Sequence, residues 1–572
     1  MRLHILTGLS WLGAVVSCCA LGQVGEPLFT DGFEQTGQAS PQASASKFLH
    51  RATFGPTMAE IDRVVAMGEA AWIDEQLALP VSWTRPGLAP LAERNYQECL
   101  QDGDLDCDRY VDPLDRQNIW WQTVIAAPDQ LRHRVAFALS QLFVVSDRNG
   151  ELIDFAEAMA AYYDLLLTHS FGNYRDLLGD VTTSPVMGIY LTHIRNRKAV
   201  PALNIRPDEN YAREVMQLFT IGLNQLNPDG TLILDDAGQS LVTYTQADIA
   251  GMARVFTGWT FADVSCEDFE YDDGGDLITP MQACEAYHDT DAKVIIDGAT
   301  LPSGQTAAAD LNAALDVLFT HPNVGPFVSR RLIQRLVTSN PTPAYIQRVA
   351  TVFADNGSGV RGDLGAVVKA ILLDPEAAAG TSGYAAFGKL REPLLRLSNL
   401  WRTFDGRSEV GEYYDYQPTM AGQAVLSAPS VFNFFLPDYQ PAGLRGSQPR
   451  LVAPEFQLAS DDKLTFNQNS IDLNARYFID GAPWVEAEDE EAEVEFGPRT
   501  VLLHPAAELA LASNPEALLN RLDLLLLAGT MSTELRQNVL ARLQQIPQAY
   551  PYVRVGEAIA HVMTSPEYLI QR

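Results

Sequence analysis

Apolar residues recur at helical spacing along most of this chain. They return at intervals of three and four residues, which is the pattern of a helix with one buried face. Helices are predicted at residues 58–79, 116–146, 152–169, 173–180, 208–223, 246–258, 311–319, 326–337, 343–355, 364–374, 393–404, 515–528, 533–545 and 555–564. The predicted fold class is mainly α: one large multi-helix domain with small inserted β-hairpins.

Strand signals are short and occur in pairs. Residues 231–234 and 241–244 flank the turn-forming run Asp-Asp-Ala-Gly, and residues 293–296 precede an Asp-Gly pair. Short β-branched runs separated by turn residues are typical of hairpins. We therefore expect hairpins inserted between helices rather than a central sheet.

The segment 208–223 carries two stripes at helical spacing. Its apolar stripe consists of Tyr211, Val215, Leu218, Phe219 and Gly222, and its polar stripe consists of Asn210, Arg213, Glu214 and Gln217. Asp208 is the predicted N-cap, and Gly222 lies near the helix end. A helix with a polar stripe beside an apolar one needs charged partners if both stripes are buried.

The next helix, 246–258, supplies one such partner. Thr245 and Asp248 have the spacing of a capping box, which favours a structural role for Asp248. We predict that this helix packs against 208–223 and brings Arg254 within bonding distance of Glu214.

The amino-terminal residues have the pattern of an export signal. A basic start is followed by an apolar run that ends in small residues, which predicts a signal peptide at 1–22. The alternative is a lipobox that would make Cys18 a lipidated terminus. Residues 23–45 are predicted to be a flexible leader, and 46–572 a single large helical domain. No transmembrane segment is expected in the mature chain.

Export agrees with the remaining cysteines. Cys99, Cys107, Cys266 and Cys284 form two pairs that are close in sequence, and the first choice among three connectivities joins 99 to 107 and 266 to 284. The alternative is four unpaired thiols. Zinc is disfavoured, because neither pair has Cys-x-x-Cys spacing.

The net charge of the chain limits which kinds of partner it is expected to bind. The net charge of −32 argues against nucleic acid, whose phosphates are met by clustered Lys and Arg. The acidic run at 486–495 is most simply a solvated loop, with cation binding as the alternative. Asp102, Asp104 and Asp106 alternate like the start of a calcium loop, but the required glycine and final glutamate are missing. Apart from this weak calcium candidate, no cofactor is expected.

No nucleophile elbow, phosphate loop or zinc-helix motif occurs in the chain. The candidate catalytic groups are Glu214, His288 and Asp289, which could act as acid, base or ligand. The candidate substrate-binding groups are Arg213, Arg254, Lys293, Trp259 and Asn210. The competing interpretation is structural: ion pairs that brace the helices, a loop histidine without function and a lysine at the surface.

Several phrases of the chain together resemble one bacterial family, the domain of unknown function 1800. They are Phe-Leu-His-Arg-Ala-Thr-Phe-Gly at 48–55, Glu-Asn-Tyr-Ala-Arg-Glu at 209–214, the segment 243–259, His-Asp at 288–289, Gly-Gln-Ala-Val-Leu-Ser-Ala-Pro-Ser at 422–430, and the ending at 565–569. Many members carry Trp-His-Asn-His-Phe where this chain has Ala-Leu-Ser-Gln-Leu-Phe at 138–143. A role for those histidines therefore does not carry over.

The resemblance implies an exported, mostly helical protein whose gene often neighbours that of a sulfatase-like protein, and it implies no established activity. We expect a non-catalytic binding or assembly module that acts with such a partner at the cell envelope. The alternative is an envelope or secreted hydrolase acting on an anionic glycan, and a third class is a structural envelope protein. A polar pocket would favour the hydrolase, and an exposed apolar patch would favour the module.

Overall fold

The computed structural model describes residues 40–101, 107–270, 275–380, 386–416, 418–447, 449–483 and 497–572. Predictions that lie outside these residues concern the signal peptide 1–22, Cys18, the calcium candidates Asp102, Asp104 and Asp106, and the acidic loop 486–495.

The first part of the described chain is helical. Its helices are α1 Pro41–Ala52, α2 Met58–Met67, α3 Glu69–Ala78, α4 Leu88–Gln101, α5 Pro113–Ala126, α6 Gln130–Ser140, α7 Ala156–His169, α8 Tyr174–Thr183 and α9 Pro185–Tyr190. The Ser40 side chain caps α1, which begins at Pro41. The last residues of the predicted leader, 41–45, are therefore helical. Gly68, with φ of 85°, divides the predicted helix 58–79 into α2 and α3.

The middle part alternates helices with short two-residue strands. Its helices are α10 Asn210–Glu214, α11 Gln246–Val255, α12 Ala307–Thr320, α13 Val324–Leu336, α14 Pro343–Ala354, α15 Leu364–Leu372, α16 Pro375–Ala379 and α17 Pro393–Thr403. A π-helix, Val215–Thr220, continues α10 without a break.

The last part returns to helices. They are α18 Pro418–Ala421, α19 Asp461–Tyr477, α20 Ala506–Ala510, α21 Pro515–Leu527, α22 Thr533–Gln544, α23 Pro551–Met563 and α24 Pro566–Leu569. Helix α23 packs against α19, α21 and α22. Among the described helices, none is long and apolar enough to cross a membrane.

The strands of the described residues form three two-stranded antiparallel sheets. They pair β1 Trp259–Thr260 with β2 Gln282–Ala283, β3 Lys293–Val294 with β4 Thr300–Leu301, and β5 Lys389–Leu390 with β6 Ile570–Gln571. The hairpin predicted at 293–296 is confirmed, and the one predicted at 231–244 has isolated bridges only. The mainly helical fold with small hairpins is confirmed.

One hydrophobic core contains buried side chains from Ala45 in α1 to Tyr568 in α24. Trp120 and Trp121 of α5 lie in it, as their apolar helix predicted; Trp121 packs edge-on against Trp401 with ring centroids 5.0 Å apart. Since β5 pairs with β6 at the end of the chain, the carboxyl terminus is fixed to the middle of the fold.

Candidate functional site

The helix predicted at 208–223 exists, but half of it is not an α-helix. Glu209, not Asp208, occupies the N-cap position, and the Asp208 carboxylate instead accepts a hydrogen bond from Asn210 N at 2.8 Å. From Val215 onward the helix is π: Ile221 N donates to the carbonyl five residues before it at 2.9 Å. Such wide turns are rare and often lie at functional sites.

Helix α11 packs against α10, as predicted. The Tyr211 ring meets Phe256 edge-on at 4.9 Å, and Gln246 Nε2 donates to Glu209 Oε2 at 2.8 Å. The capping box of Thr245 is confirmed. The start of the apolar stripe is therefore buried against α11, whereas Phe219 further along packs on Phe143 with ring centroids 5.0 Å apart.

The predicted bond between Glu214 and Arg254 is wrong. Arg254 forms a fork with Asp289 instead, with Nε and Nη2 at 2.7 and 2.9 Å from the two carboxylate oxygens, and its Nη1 donates to Ala292 O at 3.0 Å. A bidentate pair holds a guanidinium better than a single contact does. Burial acts to raise the pKa of Asp289, but the bond to Arg254, the bond from Asp291 N and the charges of Arg254 and Lys293 together outweigh it, and the pKa lies below its ordinary value.

His288 and Lys293 share one carboxylate, that of Asp310 in α12. His288 Nε2 lies 3.0 Å from Asp310 Oδ2, and its Nδ1 lies 2.9 Å from Thr257 O, so both ring nitrogens have partners. Lys293 Nζ pairs with the same Asp310 oxygen. All three side chains are fully buried, so the structure contradicts a surface lysine; His288 does lie in a loop, between β2 and β3.

Gly258 allows this cluster to form. Its φ is 86°, and a Cβ atom at this position would lie 2.9 Å from His288 N. Only glycine combines that conformation with so close an approach. The adjacent Trp259, a predicted substrate contact, is buried in β1, so its ring is withdrawn from the surface.

The polar stripe of α10 forms a second group. Arg213 pairs with Glu209 at 3.5 Å, and the exposed Asn210 side chain lies 3.4 Å from Thr192 Oγ1. Glu214 is only 6% exposed, and its Oε2 is buried without a hydrogen-bond partner. Burial raises the pKa of Glu214, against the opposing effect of Arg213.

The predicted catalytic residues thus divide between two groups. His288 and Asp289 are bonded to Asp310 and Arg254, in a network whose Asp310 Oδ1 is buried without a partner; among the described residues, Glu214 has no charged partner in hydrogen-bond reach and keeps an unpartnered Oε2. Sequence analysis missed Asp310, whose only signal is a carboxylate in an apolar helix. It also missed His193, whose ring stacks on Tyr211 at 3.9 Å and whose burial lowers its pKa to about 4.

Both predicted disulfides are confirmed. Cys99 bonds to Cys107 and Cys266 to Cys284, with Cα atoms 5.9 and 5.5 Å apart. The second bridge ties the loop after β1 to β2, close to the His288 cluster. In the part of the chain that the structure describes, no group of three or more His, Cys, Asp or Glu side chains is arranged to hold a metal ion.

Three of the phrases singled out in the sequence, 209–214, 243–259 and 288–289, lie at these contacts. The family described as "Protein of unknown function (DUF1800)" has a model that matches residues 47–570, nearly the whole chain. The chain belongs to the DUF1800 family. No curated protein and no solved structure matches it.

This DUF1800 chain also carries an arm, which we define as residues 223–243, between the π-helix and α11. Its three short segments bond to one another: Gln225 N donates to Leu241 O, Leu241 N to Ile233 O, and Ile233 N to Gln225 O, at 2.8 to 3.0 Å. Asn323 fixes the base of the arm, donating to Ile221 O and Asn224 O at 2.8 Å each.

The arm exposes large apolar side chains. Leu232, Leu234 and Val242 are 49, 54 and 60% exposed. Leu232 and Leu234 alternate along one segment, and the bridge between Leu234 and Ser240 sets the register that places Val242 opposite Leu232. Residues that alternate or lie opposite one another share a face. The three side chains therefore form one apolar face on a hydrogen-bonded support.

Proposed function

We propose that this DUF1800 protein is a non-catalytic binding or assembly module, exported to the cell envelope, where it acts with a sulfatase-like partner. The observation that carries the proposal is the apolar face of the arm formed by Leu232, Leu234 and Val242. Exposed apolar clusters on a soluble domain mark sites of protein association.

The backbone of the arm supports a docking role. Because its segments are hydrogen-bonded and Asn323 holds its base, the apolar side chains are positioned before a partner arrives. Preorganisation lowers the entropy cost of association. Between residues 223 and 243 there are Asp229, Asp235 and Asp236 but no Lys or Arg, so a partner surface with an apolar centre and a basic rim would be complementary.

The state of the candidate catalytic groups also supports a module. Arg254 and Asp289 bind each other, and His288 and Lys293 bind Asp310 in the core. Ionic groups that bind one another inside the protein are less available to a substrate.

The test uses the purified mature protein and the sulfatase-like protein encoded beside it. The double variant L234S/V242S should weaken their dissociation constant, measured by isothermal titration calorimetry, by at least about tenfold, since each lost apolar contact is worth about 1 kcal/mol or more. The control V410S/L473S removes two similarly exposed apolar side chains elsewhere and should bind like the unmodified protein. Equal affinity of the two doubles, or no complex with the unmodified protein, would reject the proposal.

A second candidate function, hydrolysis of an anionic glycan, is favoured by Glu214 alone. Its buried, unpartnered Oε2 and raised pKa are properties of a general acid or base. The test is glycan cleavage by the unmodified protein and by E214Q. Loss of cleavage in a variant that keeps its thermal transition would favour the hydrolase; the absence of cleavage from both would leave the module as the better function.

A further inference from the structure

Helix α13 carries three arginines that no carboxylate neutralises directly. They are Arg330, Arg331 and Arg335, and the last two are four residues apart on one helix face. Among the residues that the structure describes, no carboxylate oxygen lies within 4 Å of their nitrogens. By contrast, Arg348 in the next helix, α14, pairs with Asp374 at 2.7 Å.

Hydrogen bonds do not replace the missing ion pairs. Arg335 is only 4% exposed, and its Nε is buried without a partner, as is the Nε of Arg330. Arg331 Nη1 donates to Gln334 Oε1 at 3.1 Å. The remaining contacts are with rings: the guanidinium of Arg331 lies 5.0 Å from the centroid of Phe327, and that of Arg335 lies 4.4 Å from Phe435.

The nearest carboxylates already have other partners. Lys389 Nζ lies 3.2 Å from both Glu392 Oε1 and Glu455 Oε1. Glu392 Oε2 also accepts bonds from Gln141 and Gln423 at 2.7 and 2.6 Å. These carboxylates therefore stabilise Lys389 first and act on Arg335 only at longer range.

Counting the charges of this region gives a positive surplus of three. The three carboxylates are Glu392, Glu455 and Asp438, and the six cations are Arg134, Arg330, Arg331, Arg335, Lys389 and Arg450. Burial lowers the pKa of Arg331, and repulsion by Arg330 and Arg335 lowers it further. This repulsion is a consequence of the positive surplus. Like charges four residues apart on a helix and unpaired buried charges both destabilise a fold.

We propose that Arg330, Arg331 and Arg335 bind a tetrahedral oxyanion of two negative charges, a phosphate or sulfate group. Guanidinium forks match the oxygen geometry of such groups, and two negative charges would offset most of the surplus. The loop 432–438 borders the arginines, because Gln334 Nε2 donates to Pro437 O at 3.1 Å and Phe435 stacks on Arg335. Exposed Phe432 and Leu436 give that loop an apolar surface, which suits the organic part of an ester.

The proposal of an oxyanion site does not rest on the proposed partner module. The arm variant L234S/V242S should keep full oxyanion binding, since none of its changes touches the arginines. The failure of one proposal therefore leaves the other in place.

The test is calorimetric titration of the purified mature protein with sodium phosphate and sodium sulfate, with sodium chloride at matched ionic strength as the reference. The unmodified protein should show saturable binding of at least one dianion, and R331Q should bind it at least about tenfold more weakly. The control R407Q removes the same charge from an exposed arginine and should bind normally.

Thermal unfolding supplies a second readout. Without the dianion, R331Q should melt no lower than the unmodified protein, because the substitution removes a repelled charge. With saturating dianion, only the unmodified protein and R407Q should gain stability. If R331Q does not fold, R330Q serves the same comparison.

The proposal is overturned if neither dianion binds more than chloride does, or if R331Q and R407Q bind equally. Glucose 6-phosphate distinguishes the source of the group: tighter binding than inorganic phosphate supports an ester ligand, and weaker binding supports the free ion. Both outcomes support an oxyanion site.

Discussion

The carboxylate of Asp310 is expected to be the most sensitive single group in the His288 cluster. In D310N the buried ammonium of Lys293 would keep carbonyl partners, such as Asp291 O at 3.1 Å, but no negative charge. Removing one partner of a buried ion pair typically costs about 3–5 kcal/mol. An unfolding entropy of roughly 2.1 cal/mol/K per residue makes 1 kcal/mol worth about 1 °C in a chain of this size. We therefore expect the melting temperature to fall by about 3–5 °C.

Differential scanning calorimetry measures this fall in melting temperature, and two further variants serve as comparisons. D297N changes an exposed carboxylate and should shift stability by less than about 0.5 kcal/mol. The double variant K293M/D310L replaces the pair by apolar side chains and should lose less than D310N alone, because no buried charge is left unpaired. If D310N behaves like D297N, Asp310 does not neutralise Lys293 and the structural interpretation of the cluster is refuted.

Three further predictions concern other parts of the chain. Burial raises the folded-state pKa of Glu214, so this group stabilises the folded state below its unfolded pKa of about 4.3, and the stabilisation is lost as pH rises through the folded pKa. In melting curves from pH 4 to 8, the melting temperature of E214Q should therefore rise relative to that of the unmodified protein as pH increases. A difference that stays constant with pH would contradict this. C266S/C284S opens a loop closed at a separation of 18 residues and should cost about 3 kcal/mol in denaturant unfolding, whereas an unchanged midpoint would show that the bridge adds nothing. The intact mass of the exported protein should be that of a chain without residues 1–22. A mass that shows a diacylated Cys18 at the amino terminus would establish the lipoprotein instead.

Local patterns predicted the mainly helical fold but not every helix: α1, α4 and α19 were missed, and the predicted helix 116–146 is divided into α5 and α6 and ends at Ser140. Apolar periodicity continues across Gly68, so the sequence indicated one helix where a residue with φ of 85° separates two. The change from α to π after Glu214 left no signal either, since the spacing of apolar residues differs little between the two over six residues. The two-residue strands are too short to alternate and were found only where a turn marked them.

The candidate site was predicted less well, because its bonds join distant segments. Sequence analysis placed Arg254 near a charged cluster, which is correct, but chose Glu214 as its partner. The true partner, Asp289, is 35 residues away along the chain. His288 and Lys293 were noted as titratable groups, yet the carboxylate of Asp310 that binds both lies in another helix. Spacing identifies which residues share a face, but not which carboxylate a folded chain brings to each cation.

The two proposed sites meet on one helix. Asn323, the N-cap residue of α13, holds the base of the arm, and Phe327 one turn later packs where a Cβ on Gly222 would lie, 2.9 Å away. The arginines lie on the same helix towards its other end. An oxyanion that relieves their repulsion stabilises α13 and with it the support of the arm, so we expect phosphate or sulfate to tighten partner binding. By thermodynamic reciprocity the partner must then tighten oxyanion binding by the same factor. Titrating each ligand in the presence of the other measures that factor twice, and a factor of one would show that α13 does not connect the sites.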